Sequence, residues 1–249
     1  MGRSSGKIDF SSGELVFQGM PKRRRRQDPH RDARVEMYRG FVRDAAEKVF
    51  AKHGFARASM AHIARESRVS IGTIYRIFPG RKAAIYRAIQ EERGTAILGR
   101  TRAIGEAAWR QSENLLDAMM AGVRALVEFY AAHPDYLRLT LREENSWAVS
   151  EKGTQEQAAM WREGIESTVA GMRFGISQNL LVDDDPEAMA RTWLAIQQAH
   201  LAYWVEQDMR ETPAEIAARL ERQLLRAFCR PEVAAARGVR VPSRGPDEQ

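Results

Sequence analysis

Apolar residues along this chain recur at intervals of three and four, in long runs, and nowhere in a sustained alternation of period two. Tyr38, Phe41, Val42, Ala45, Ala46, Val49 and Phe50 form one helical stripe. That helix is expected to start near residues 32–34 and to end at His53-Gly54-Phe55, where Gly54 suits the left-handed position after a helix. Ser59 is placed to cap a short second helix through Ile63 and Ala64 to about Ser67, and Arg68-Val69 makes a turn. Ser70 is placed to cap a third helix, Ile71 to Phe78, which Pro79-Gly80 stops. A fourth helix is expected over 81–105, carrying Ile85, Ile89 and Leu98. Helical patterns then fill 111–132, 134–146, 154–181, 186–209 and 213–229, with His133-Pro134, Asp185-Pro186 and Thr212-Pro213 as boundaries that set proline in a first turn. The Asp183-Asp184-Asp185 run reads as a loop capping the helix after it. The expected class is all-α. Residues 1–19, with Ser-Ser-Gly spacers and Glu14-Leu15-Val16-Phe17-Gln18-Gly19 before Met20, read as an appended leader. Residues 231–249, with three prolines and two glycines, read as a loose tail.

Between Met60 and Pro79 the two short helices have helix-turn-helix spacing. Their close crossing demands a small residue, and Ala64 supplies it. Ile63, Val69, Ile74 and Ile77 fall on the buried side, while Ser70, Ile71, Thr73 and Arg76 project away on a face that could enter a DNA major groove. The turn after Ser67 needs a residue tolerant of positive φ. Arg68 stands there, at a strain on the order of 1 kcal/mol.

Charge sharpens this picture. The 249 residues carry 39 Lys+Arg against 33 Asp+Glu, a net of +6. Residues 20–82 hold 17 basic and 6 acidic side chains, a net of +11, whereas 1–19 sum to zero and 83–249 to −5. Such asymmetry marks a nucleic-acid-binding module joined to a different domain, against the plainer reading of a solvated charged surface. Hydrophobic residues make up 44% and charged residues 29%, as in ordinary globular proteins. No apolar stretch approaches the ~20 residues of a membrane span, and no secretory signal opens the chain, so a cytoplasmic, nucleoid-associated protein is expected. One cysteine, Cys229, excludes an intramolecular disulfide and cysteine-based zinc cages.

The run from helix 1 ending in Gly54-Phe55, through Ile63-Ala64 and Val69-Ser70-Ile71-Gly72-Thr73-Ile74-Tyr75-Arg76-Ile77-Phe78, to Arg81-Lys82, resembles the TetR family of bacterial transcriptional regulators. The likeness covers about residues 36–96. Ser59-Met60, Ser67-Arg68 and Ile77 depart from the family pattern. The resemblance implies a three-helix DNA-binding domain at 36–96, after a basic arm at 20–35, and a helical effector-binding and dimerisation domain at 97–230. It implies phosphate contacts from Thr73 and Tyr75, flanked by Ser59 or Met60 and by Arg81 or Lys82, and base contacts from Ser70, Ile71, Gly72 and Arg76. The chemistry agrees: hydroxyls and cations suit phosphate, guanidinium can grip a guanine, and isoleucine can pack on a thymine methyl. The plainer reading of Tyr75 is a packed aromatic, and of Arg76, Arg81 and Lys82 a solvated surface. Arg23-Arg24-Arg25-Arg26 in the arm either follow a minor groove or only release counter-ions.

In the second region, helix 111–132 is apolar on most sides, which suits the centre of a bundle. The surplus of methionine and tryptophan reads either as core packing or as an adaptable apolar pocket lined by Met119, Met120, Val123, Trp147, Trp161, Met172 and Trp193. Helix 186–209 shows one stripe of Met189, Trp193, Ile196, His200 and Trp204 and another of small residues. Ala195, Ala199 and Ala202, with Leu220 and Leu224 of the next helix, resemble the family's four-helix dimer interface. His200 reads as an interface or core residue. No cofactor is implied and no metal-ligand spacing occurs. The expected function is a DNA-binding regulator, a homodimer on a palindromic double-stranded operator and most simply a repressor released by a small apolar or aromatic effector. The alternatives are a regulator or architectural DNA protein without effector, and, remotely, an all-α enzyme, for which no nucleophile–base or paired-carboxylate pattern is present.

Overall fold

The computed structural model describes residues 29–142 and 155–240, with side chains from 162 onward in the second stretch. Ten helices are described: α1 (Pro29–Arg57), α2 (Met60–Ser67), α3 (Ile71–Ile77), α4 (Arg81–Ser112), α5 (Leu115–Ala132), α6 (Pro134–Arg142), α7 (Gln155–Ser177), α8 (Pro186–Glu206), α9 (Pro213–Phe228) and α10 (Pro231–Ala236). No strand occurs among the described residues; an isolated antiparallel bridge joins Leu181 to Cys229. No described helix is long and apolar enough to cross a membrane.

The caps anticipated from side-chain chemistry are present. Ser59, Ser70, Asp185 and Thr212 each accept from backbone N–H groups of the turn they open, and Thr212 with Glu215 forms a full capping box. Gly54 has φ 75° and ψ 156°, a conformation open to glycine, and it kinks α1 so that Phe55–Arg57 make a separate last turn.

Three boundaries differ from expectation. α4 runs through Gly105 to Ser112. Gly105 was read as a stop, but it is a packing residue: a Cβ there would meet the Ala118 carbonyl at 3.4 Å, so glycine lets α4 and α5 approach. The turn comes instead at Glu113, with φ 50°, and Asn114 caps α5. The expected loose tail is ordered through residue 240, because Ala234 and Val239 are buried and α10 docks on α9. Third, α7 ends at Ser177, and the chain after it pairs with the end of α9: Val182 N–H donates to Phe228 O and Arg230 N–H to Leu180 O. Residues 1–28, 143–154 and 241–249 lie outside the described stretch.

The reading head, α1–α3, closes on Val42, Ala46, Phe50, Ile63, Ile74 and Phe78, all almost wholly buried. Each large one is worth about 1.5–3 kcal/mol in burial. α4 belongs to two cores. Ile85 and Ile89 pack in the head, while its later turns pack along α5 and α7. α8 and α9 complete the body, with α9 against α5.

Arg68 adopts φ 56° and ψ 24°, the left-handed conformation its turn requires, and its side chain is exposed. Replacing it with glycine removes the steric cost at no packing loss. Arg68→Gly is expected to raise stability by about 1 kcal/mol in chemical denaturation. An unchanged or lowered midpoint would show that the arginine carries no strain there.

Candidate nucleic-acid interface and internal cavity

The third helix has one buried and one open side. Ile74 and Ile77 are buried, while Ser70, Ile71, Gly72, Tyr75 and Arg76 are exposed. Ile71 is 42% exposed and Tyr75 40%, large apolar surface for a helix of seven residues. Ser70 Oγ accepts from Thr73 N–H at 3.2 Å and donates to Thr73 Oγ1 at 2.9 Å, which leaves the Thr73 O–H free to donate outward. The guanidinium of Arg81 lies 5.6 Å from the Tyr75 ring centroid, so the two form one amphipathic patch. Arg68, Arg76 and Arg81 have no carboxylate partner among the described residues. The His53 imidazole, stacked on His62 at 5.1 Å, is held below the usual histidine range by desolvation first, then by His62, Lys52, Arg57 and Arg65. This surface is positive.

Ser59 is spent on its cap, accepting from His62 N–H, and Met60 is half-buried against the core. Lys82 is reassigned. Its Nζ donates to the carbonyls of Phe55, Ala56 and Ala58 at 2.6, 3.1 and 3.1 Å and sits 4.5 Å over the Phe55 ring. All three of its donors point inward, so Lys82 is a structural clamp rather than a phosphate contact. Arg23, Arg24, Arg25 and Arg26 lie outside the described residues. One residue of the head was not foreseen. Arg39 Nη1 donates to Ile77 O at 2.7 Å and its guanidinium covers the Phe78 ring at 4.4 Å, which caps the end of α3 from α1. That contact spans 38 positions, and no local spacing announces it.

A cavity of about 890 Å³, open to solvent on one side, lies between α4, α5, α6, α7 and α8. Met119, Val123 and Trp193 line it. Met120 and Met172 are buried in the surrounding core without reaching the lining. Trp147 and the Trp161 side chain lie outside the described residues. Gln90, Tyr130, Tyr136 and Gln197 also line it, and these polar residues were missed. The buried stripe of α8 is Met189, Trp193, Gln197, Leu201 and Trp204, rotated from the expected one. An i, i+4 walk from Trp193 to Leu201 passes through Gln197, the signal that could have found it. Ile196 and His200 are instead half-buried. Among the described residues no group of acidic, histidine or cysteine side chains could hold a metal ion.

Ala195 and Ala199 are exposed and Ala202 half-buried, so the small-residue stripe of α8 faces outward. Leu220 and Leu224 are corrected: both are fully buried in the protomer's own core, where α9 meets α5, and are not available to a partner.

Residues 42–89 match the family described as bacterial regulatory proteins, tetR family. No curated relative matches the sequence. Among solved structures, the chain is similar to the fatty acid degradation regulator FadR from Bacillus halodurans, at 16% identity and TM-score 0.63, over 76% of this chain and 94% of that one. It is also similar to TylP, a TetR regulator from Streptomyces fradiae, at 18% identity and TM-score 0.56, over 82% and 92%. A third is the SmeT–triclosan complex, at 17% identity and TM-score 0.58, over 86% and 99%. At these identities the structural likeness establishes the fold.

Arg81 and Lys82 are neighbours in sequence with opposite expected behaviour. Arg81→Ala should flatten the slope of log K against log[salt] by about one unit on a random 30-bp duplex. Lys82→Met should leave that slope unchanged and lower stability by about 1–3 kcal/mol, because its carbonyls lose their donor. A flattened slope in the Lys82 variant would return it to the DNA surface.

Proposed function

We propose that this chain, which carries the DNA-binding domain of the TetR family, is a transcription regulator that grips a palindromic operator as a homodimer and releases it when a small molecule fills the body's cavity. The observation that carries the DNA-binding half is the open side of α3, where Ile71, Tyr75 and Arg76 stand exposed opposite the buried Ile74 and Ile77. Exposed isoleucine beside an unpaired guanidinium is poor design for a bare surface and good design for base edges. Thr73 and Tyr75 take phosphate, with Arg81 beside them. Ser70, Ile71, Gly72 and Arg76 face the bases. The basic arm, with Arg23 to Arg26, follows the backbone or the minor groove.

The cavity favours an effector over a regulator without one. Its volume falls in the range of small-molecule sites, and a core that served packing alone would close it. Repression follows as the simplest outcome: a bound reading head blocks its operator until the ligand biases the molecule elsewhere.

The dimer rests on the outward stripe of α8. Thr192, Ala195, Ala199 and Tyr203 share one exposed side, and small residues permit close helix approach about a two-fold axis. Two heads then reach half-sites about 34–36 Å apart, or a small multiple of that.

With the gene's own upstream region as probe, Arg76→Ala should weaken operator binding by about 1–3 kcal/mol and relax preference at one base pair, read by fluorescence anisotropy. Tyr75→Phe should weaken binding to all sequences alike. Full affinity in both variants would defeat the reading. Independently, Ala199→Arg should convert the dimer to monomer in light scattering, since a buried unpaired charge on a two-fold axis meets its own copy. A persistent dimer would place the interface elsewhere.

A further inference from the structure

The polarity of the cavity is distributed in a chemically specific way. Its charged neighbours, Arg102, Glu106, Arg110 and Glu163, are all exposed at the rim, and Arg102 pairs with Glu163 from α4 to α7. Among the described residues that line its interior, the polar groups are neutral. Gln90 on α4 is 8% exposed and Gln197 on α8 is 6% exposed. Gln90 Oε1 accepts from the Tyr136 hydroxyl at 3.2 Å, which turns its Nε2 donor the other way. Among the described residues that Nε2 has no acceptor, and the Gln197 carboxamide has neither donor nor acceptor. Both residues border the cavity. Neither amide is among the buried atoms left without a partner, which are His62 Nδ1 and Arg219 Nη2 in the described residues, so the open groups of Gln90 and Gln197 face the space of the cavity and are available to whatever fills it.

The cavity is also long. Its lining on α4 extends from Gln90 to Arg110, about 30 Å at 1.5 Å per residue. α5 runs antiparallel beside α4, with Gly122 against Thr101 and Gly105 against Ala118. Tyr130 and Gln90 therefore share the end near the reading head, and Trp109 and Leu115 the other. At that far end Trp109 packs edge-on against Phe174 of α7, centroids 5.8 Å apart.

We infer that the cavity is built for an elongated, uncharged molecule whose polar head is a carboxamide or lactam, read by Gln197 and Gln90, with its apolar body lying along α4 toward Trp109. This rests on the ligand-controlled reading above. A head of this kind can accept from an N–H of either amide and donate its own N–H to Gln197 Oε1, which an ionic head cannot do in both directions. Among the described lining residues a carboxylate or phosphate head finds no buried cation, and an ammonium head no buried carboxylate. Either ion would be desolvated without a counter-charge.

The test uses three probes with one tail and different heads: decanamide, decanoate and decylammonium, titrated calorimetrically into the full chain. Decanamide should bind at least tenfold more tightly than either ion. Gln197→Met, close in volume, should raise the melting temperature of the free protein and bring decanamide down to the level of the other two. Gln90→Met should act in the same direction, and it carries the comparison alone if the first variant does not fold. Equal or tighter binding of decanoate or decylammonium, no binding of decanamide, or full decanamide affinity in the folded methionine variants would each overturn the inference. Operator release is scored separately. Decanamide that binds with the stated preference yet leaves DNA bound supports head recognition and sinks ligand control. Release by decanoate with no amide preference does the reverse.

Discussion

The last carbonyls of α1 have no intrahelical N–H to receive, because Gly54 breaks the helix and Ser59 begins the next one, and Lys82 is what satisfies them. Its ammonium takes three carbonyls and the face of Phe55 together. A cation at a helix C-terminus is also favoured by the dipole. The next turn of α4 brings Tyr86 into a cluster with Phe50 and Phe55, centroids 5.0–5.9 Å apart. Two turns further, Arg93 Nε meets Glu47 of α1 at 2.9 Å. Burial raises the Glu47 carboxyl above its usual range, with Arg93 opposing that rise. The first four turns of α4 are thus bonded to the reading head, and its remaining turns form a wall of the cavity. A 32-residue helix does not bend freely between the two, so a tilt imposed at the wall reaches α3.

A second connection runs beside the first. α6 packs on α1, and Arg142 Nη1 donates to the Lys52 carbonyl at 3.0 Å. The same short helix sends Tyr136 and Thr140 to the cavity. Burial holds the Tyr136 phenol far above its ordinary pKa, so it stays a hydrogen-bond donor to Gln90 at any physiological pH. The Tyr136–Gln90 bond therefore links α6 to α4 at the end of the cavity nearest the head. A ligand at that end bears on both supports of the head at once, which is the arrangement a coupling of about 1–3 kcal/mol needs.

What the sequence disclosed and withheld divides along the range of the interaction. Caps at Ser59, Ser70, Asp185 and Thr212, the positive φ at Arg68 and the buried positions Ile63, Val69, Ile74 and Ile77 are local, written within a few residues. All were legible. Gly105 was misread because the same residue type ends helices and lets helices touch, and only the partner, Ala118, tells which. Lys82 was misread because its position opening α4 fits a phosphate contact, while the carbonyls that claim it lie 24–27 positions earlier. Leu220 and Leu224 have the pattern of an interface, but an apolar stripe does not say whether its cover is another helix of the same chain or a second copy. In the cavity, Met119, Val123 and Trp193 were visible as apolar bulk. Gln90 and Gln197 were not, since a lone glutamine on a helix is ordinarily solvated.

The rotation of α8 gives the helix two jobs. Positions 197 and 199 differ by about 200° around a helix of 3.6 residues per turn, so Gln197 faces the cavity while Ala199 faces out. Under the proposed assembly, one helix is the entire partition between ligand and partner subunit. Small side chains at Ala195 and Ala199 leave no cushion on the partner side. Anything that draws Gln197 inward or pushes Trp193 outward then moves the two-fold contact itself. In that proposed dimer a displacement of α8 changes the separation of the two heads, which must match half-sites one helical turn or a small multiple of it apart, and a tilt of α4 changes their angle. Ligand binding on one side of a single helix can therefore alter DNA fit by two independent geometric routes, without any change inside the reading head.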